Sequence, residues 1–237
     1  RHANTFNVNL GYDFITDMLV LEFTIDDKVI DARRKDNPWL SRAAQSLAEA
    51  LRLVASKKLD VEFTELVTGY RLRTGSEASY IDIYLYDSLS SGAGYAVSVA
   101  DSITDLLEDM SKMLSSCDCG AACSKCLKHY RNQFVHGKLD RFAALQLLKL
   151  GVDGEKASPL NIATQIKMIM PLVNILKESG CEITFDEAII ASGRKTKKIV
   201  VYPAMWVEPK DIDTIFVSDA YIKYAKPYAV QKILDNI

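Results

Sequence analysis

The sequence predicts an α+β fold: an antiparallel or mixed sheet with flanking helices, followed by a small α/β C-terminal region. Three observations carry that reading. Strand-like segments rich in β-branched and aromatic residues occupy 12–25, 60–73 and 79–86. Apolar stripes with spacings of three and four occupy 38–55 and 96–114. Four of the five cysteines fall within residues 117–126, between two helical stretches.

In 12–25, Met18, Val20 and Glu22 share one face and Leu19, Leu21 and Phe23 the other, as a strand's period of two requires. Asp26-Asp27-Lys28 reads as a turn into Val29-Ile30. Asn37-Pro38 supplies an N-cap and a proline at the first helical position. Leu40, Ala43, Ala44, Leu47, Ala48, Leu51, Val54 and Ala55 then line one face of a helix. Strand character returns at 60–73 and is broken by Thr74-Gly75-Ser76. In 79–86, Ile81, Ile83 and Leu85 face the core, with Tyr80, Asp82, Tyr84 and Tyr86 opposite. The tyrosine row suits base stacking, and equally the ordinary preference of tyrosine for strands.

Gly92-Ala93-Gly94 permits a tight turn before a helix over 96–114. Packing of helix on sheet explains these glycines. Free amides at the turn could also hold a phosphate, but neither the dinucleotide fingerprint nor the GxxxxGK[ST] loop is present. A further helix is expected over 138–150, and residues 151–159 read as a linker. The chain thus divides into 1–150 and 151–237. The second region reads as helix 161–178, strand 182–185, a helical stretch 186–191, an apolar run 199–207, strand 215–217 and helix 227–234, with Cys181 an ordinary buried thiol.

Of 237 residues, 49% are hydrophobic and 25% charged, which fits a globular core and excludes a disordered chain. A net charge of -2 excludes a global positive field, so any role with nucleic acid must be local. Over 116–150, six basic residues face only Asp118 and Asp140, a formal +4. No apolar run reaches the roughly 18 to 20 residues of a membrane helix, and no signal-peptide pattern opens the sequence, so a cytoplasmic location is expected. The sequence begins Arg1-His2-Ala3 without methionine, as expected of a piece of a longer polypeptide.

Cys117, Cys119, Cys123 and Cys126 follow the spacing Cys-x-Cys-x3-Cys-x2-Cys, and four thiolates this close can converge on one tetrahedral ion if the loop wraps around it. Zinc is the expected cofactor. Disulfides between near neighbours rarely meet the required geometry, and iron–sulfur clusters use four cysteines at other spacings as a rule. Four sulfurs fill the shell and leave no position for a reactive water, so the metal holds structure and no catalytic residue is expected. His129 is a spare nitrogen donor beside that full shell, and His136 reads as a hydrogen-bonding residue that positions the loop.

Lys125, Lys128, Arg131, Asn132, Gln133, Lys138 and Arg141 are the candidate nucleic-acid contacts, cations for phosphates and amides for backbone or phosphate groups. The competing roles are a solvated helix face for the cations and local loop pinning for the amides. A rival reading is a metal-dependent nuclease, with Asp186 and Glu208-Pro209-Lys210 imitating an Asp…Glu-x-Lys site; a proline inside that triplet is awkward in a strand.

Four features occur in order: a strand ending in Tyr86-Asp87, Gly92-Ala93-Gly94-Tyr95, the four cysteines, and Asn132-Gln133-x-x-His136-x-x-Leu139-Asp140-Arg141. Together they resemble the zinc-binding C-terminal domain of MrfA-like superfamily 2 DNA helicases, a domain shared with helicase-associated proteins of phage-defence systems of the DISARM type. The resemblance covers roughly 10–150. It implies zinc on Cys117, Cys119, Cys123 and Cys126, a helicase core in cis or in trans as partner, and DNA as the parent's partner, in DNA repair or phage defence. It implies no membrane and no small-molecule substrate. A protein-interaction subunit of a defence complex is the close variant. Ser91 departs from the pattern, standing where a further glycine is expected. No Walker loop or DEAD-type box occurs, so ATP hydrolysis falls to sequence or a subunit outside these residues.

Overall fold

The structure, a computed structural model, describes residues 13–32, 38–76 and 78–237. The expected N-cap Asn37 and the start of the first expected strand, Tyr12, lie outside them.

The first strand, β1 (Met18–Ile25), alternates as its sequence does, with Phe23 and Ile25 buried and Met18, Val20 and Glu22 exposed. It starts only after Asp17, because 15–17 instead run beside the loop after residue 86: Ser91 N donates to Ile15 O at 2.7 Å and Thr16 Oγ1 to Asp87 O at 2.9 Å. The long helix α1 (Pro38–Leu59) buries Leu40, Ala43, Ala44, Leu47, Ala48 and Leu51. A 3-10 turn (Phe63–Glu65) then precedes β2 (Leu66–Thr74), since Glu62 and Glu65 close a capping box there.

Strand β3 (Ser79–Asp87) is central in an antiparallel sheet of order β1-β3-β2. Its Ile81, Ile83 and Leu85 meet α1 in the core. On the outer face Arg71 and Arg73 both donate to the Asp82 carboxylate, holding its pKa down at about 2.

The helix expected over 96–114 is two, α2 (Tyr95–Asp101) and α3 (Ile103–Ser116). Ser98 and Ser102 donate their hydroxyls to the carbonyls four residues back, Gly94 O at 3.0 Å and Ser98 O at 3.2 Å, and the backbone leaves helical geometry at Ser102. A 3-10 segment (Tyr130–Lys138) leads to α4 (Arg141–Asp153), which starts three residues later than expected because Asp140 is its N-cap. The helix continues through the start of the expected linker. Gly151 sits in its last turn against Phe23, and Gly154, at φ +67°, ends it.

Beyond it come α5 (Ile162–Glu178), β4 (Glu182–Phe185), β5 (Ile189–Ser192), β6 (Thr196–Tyr202), β7 (Thr214–Ser218), α6 (Asp219–Tyr224) and α7 (Lys226–Leu234). The sheet order is β4-β5-β6-β7, antiparallel except for the parallel pair β6 and β7. The stretch 186–191, expected to be helical, instead forms a hairpin turn and β5. Pairing on both sides with β4 and β6 overrides the helix propensity of so short a run.

Two buried clusters result. One fills the space between the first sheet and α1, α3 and α4. The other lies between the second sheet and α5 to α7 and includes Cys181. Ala204, Met205 and Ala220 of the C-terminal part join the first cluster. Ile30 bridges to Trp206, and Asp140 accepts hydrogen bonds from Lys223 at 3.0 Å and from the Tyr224 hydroxyl. Among the described residues no helix is long and apolar enough to cross a membrane.

Candidate metal centre

Helix α3 ends at Ser116 and releases Cys117 into an extended conformation, so the chain turns off the helix axis into the cysteine loop. The four sulfurs of Cys117, Cys119, Cys123 and Cys126 all lie within 4.8 Å of one another. Cys117 to Cys123 is 3.5 Å, Cys119 to Cys126 is 3.6 Å and Cys123 to Cys126 is 3.9 Å. A tetrahedral zinc with Zn–S bonds of about 2.3 Å requires sulfur–sulfur edges of about 3.8 Å. The donor set therefore fits one zinc ion. The sulfurs are too far apart for disulfides, whose S–S length is about 2.05 Å, and too close together to wrap a cluster of several irons.

Local polarity supports thiolates here. Lys125 N donates to Cys123 Sγ at 3.4 Å and pulls that thiol down to about 7, while Cys123 N donates to Cys126 Sγ at 3.3 Å. Burial pushes the Cys126 thiol up to about 12 and also raises Cys119. A divalent cation reverses that penalty, because it replaces the missing water as the partner of the buried charge.

The loop is clamped from three sides. Arg141 extends from the first turn of α4 and donates Nε to Cys119 O and Nη1 to Leu114 O, both at 2.9 Å, tying the loop to the last turn of α3. Its own N–H donates to Ala121 O at 2.8 Å. Asn132 is wholly buried: Oδ1 accepts from His129 N at 2.7 Å, and Nδ2 donates to Leu127 O at 3.0 Å and Glu49 Oε2 at 2.9 Å. His136 Nε2 lies 3.0 Å from His129 O and 2.9 Å from Asn132 Oδ1. His129 is not among the gathered donors; its Nδ1 accepts from Arg131 N and its ring stacks on Phe63.

The seven candidate nucleic-acid contacts therefore part company. Lys125, Arg131, Gln133 and Lys138 are exposed and Lys128 is half-buried, whereas Asn132 and Arg141 lie inside and serve the cysteine loop. The roles of three positions escaped the sequence reading. Glu49, buried on α1, is the partner of Asn132, and its signal was a carboxylate set between two alanines, Ala48 and Ala50, of a largely apolar helix. Ser46 accepts from Asp140 N at 2.7 Å. Asp87 accepts from Ala93 N, Tyr95 N and Ala96 N at 2.6, 3.1 and 2.9 Å, so its carboxylate takes the turn amides that a phosphate would have used.

The nuclease residues are not gathered. Asp186 turns the β4–β5 hairpin, while Glu208 accepts from Tyr202 at 3.5 Å and pairs with Lys232. Glu208 and Lys210 line a cleft of about 390 Å³ in which Asp186 has no part. Among the described residues, the four cysteines are the group able to hold a metal.

Residues 47–127 match the family model of the MrfA Zn-binding domain. Over these residues the chain is similar to a zinc-binding domain of the MrfA type. The matched stretch runs from α1 through the last cysteine and ends before the 3-10 segment. Druantia protein DruE of Escherichia coli (strain UMEA 4076-1) is 32% identical over 206 residues, 78% of this chain but 11% of DruE. The crystal structure of the DUF1998 helicase MrfA bound to DNA is 18% identical, covering 48% of this chain and 14% of that one at a TM-score of 0.38. The chain thus corresponds to about a ninth of its curated relative's length.

Proposed function

We propose that the chain is a non-catalytic, zinc-stapled accessory region of an ATP-dependent DNA helicase acting in DNA repair or phage defence. Residues 1–150 form the zinc-binding domain and 151–237 a small α/β unit docked on it. Cys117, Cys119, Cys123 and Cys126 hold the ion, which closes the junction between α3 and α4. The helicase core, in cis or in trans, is its principal partner, and DNA is contacted through the exposed cations of the cysteine loop and of the segment after it. The observation that carries this reading is the convergence of four sulfurs at zinc spacing inside the stretch that matches the MrfA Zn-binding domain. Four sulfur ligands leave the ion no open position, so it supplies rigidity and charge compensation rather than an activated water.

The test is metal and nucleotide analysis of purified residues 1–237. One zinc per chain, no visible iron–sulfur absorbance, no ATP hydrolysis and salt-dependent DNA binding are the expected results. ATP turnover by the isolated chain, or a full chain that retains no zinc, would remove the reading. Co-purification with a separate helicase polypeptide decides between partnership in trans and in cis.

A further inference from the structure

The 3-10 segment Tyr130–Lys138 carries two large aromatic side chains on the outside of the protein. Tyr130 is 74% exposed and Phe134 80%. Leaving a phenylalanine in water forgoes the free energy of its burial, and the backbone that holds both rings is not a loose loop. Asn132, buried between them, anchors the segment to Glu49 and Leu127 O, and His136 closes it onto His129. The rings are thus held out on a rigid support.

Along this stretch of the sequence the charged side chains other than the cysteines have one sign. From Cys119 to Leu139 the chain contains Lys125, Lys128, Arg131 and Lys138 and no Asp or Glu. The carboxylate that follows, Asp140, is spent on the N-cap of α4, Lys223 and Tyr224. Arg131 lies with its guanidinium 6.0 Å from the Tyr130 ring centroid, and Gln133 adds an exposed amide. Exposed flat rings set among cations fit a ligand that offers flat apolar faces and repeated negative charges on one flexible strand. Unstacked bases joined by phosphates have that chemistry, whereas a base-paired duplex hides its base faces.

We propose that Tyr130 and Phe134 form a stacking platform for single-stranded DNA, flanked by Lys125, Lys128, Arg131 and Lys138 as phosphate contacts. The proposal rests on the DNA-contacting role above and adds to it the strand state and the residues that select it. The platform lies outside the stretch matching the MrfA Zn-binding domain, which ends at residue 127.

Fluorescence anisotropy of residues 1–237 with a fluorescein-labelled dT15, a 15-base-pair duplex and rU15, across a salt series, tests it. Wild type is expected to bind dT15 with a log–log salt slope of up to about -3, near -0.7 for each of four phosphates neutralised. Tyr130→Ala/Phe134→Ala should weaken dT15 binding at least tenfold, leave the slope and any duplex binding unchanged, and keep its zinc. Lys125→Gln/Arg131→Gln should flatten the slope instead. Tyr130→Trp, which keeps an aromatic face at this position, should bind dT15 with wild-type affinity, with tryptophan emission quenched as dT15 binds. If the double alanine variant binds dT15 like wild type, or wild type binds only duplex or only rU15, the platform is overturned while nucleic-acid contact stands. If wild type binds none of the three, both the platform and the DNA-contacting role fall, and a protein partner occupies this surface.

Discussion

Replacing Arg141 with methionine tests whether this residue clamps the cysteine loop or contacts DNA. Methionine keeps much of the unbranched aliphatic stem but removes the two donors that reach Cys119 O and Leu114 O at 2.9 Å. Hydrogen bonds from a charged donor contribute about 1.5 to 3 kcal/mol each, and a carbonyl left buried without a partner adds to the loss. The guanidinium also lies 3.9 Å from the Phe142 ring centroid, worth about 0.5 to 1 kcal/mol at a partly exposed ring. A loss of about 3.5 to 7 kcal/mol follows, a large share of the roughly 5 to 15 kcal/mol that holds a domain folded. Urea unfolding of the zinc-loaded chain should show it as a lower midpoint at unchanged slope. The same variant should release zinc faster to a chelator, because the carbonyl anchoring the Cys119 end of the loop is set free. A wild-type midpoint and wild-type zinc retention, combined with weakened DNA binding, would refute the clamp and return Arg141 to the surface.

Zinc retention should fall steeply as pH drops below neutrality, because burial raises the thiols of Cys119 and Cys126 and each must lose its proton to bind metal; chelator competition between pH 6 and pH 8 measures this. Asp82→Asn should lower stability at neutral pH. The folded pKa of Asp82 is about 2, below its unfolded value, so its contribution is present above about pH 4 and lost as pH falls through 2. The gap in urea midpoint between wild type and variant, both zinc-free, should therefore narrow below pH 4. Ser91→Gly should stabilise by about 1 kcal/mol, since Ser91 sits at φ +77°, where only glycine avoids the left-handed penalty; a higher thermal midpoint at unchanged zinc content is the readout. Gly151→Ala should destabilise by about 1 to 3 kcal/mol, because its Cβ would stand 2.1 Å from Cε1 of Phe23, a ring packed into the core between β1 and α4.

Where periodicity and burial coincide, the fold could be read in advance. The alternation of 18–25, the apolar stripe of α1 and the isoleucines of β3 each name a face, and the structure buries that face. The failures are local events that pattern does not encode. β5 is four residues long, too short for a period to declare itself, and its two strand neighbours decide its state. Gly151 looks like a breaker, but a ring 128 positions earlier in the chain explains why that helix position is glycine. At the metal centre the ligands were legible because all four are close in sequence. The roles of Asn132 and Arg141 were not, since residue type announces polarity but not direction. Asn132 finds its partner 83 positions away on α1, and Arg141 turns back toward α3. Once those two point inward, the meaning of the motif changes. Its buried members hold the zinc loop rigid, and that rigidity keeps Tyr130, Arg131, Gln133 and Phe134, which flank the buried Asn132 in the chain, turned toward solvent. Support and contact surface are therefore made from one short run of residues. Loosening the buried half should blunt the exposed half even where no exposed atom is changed.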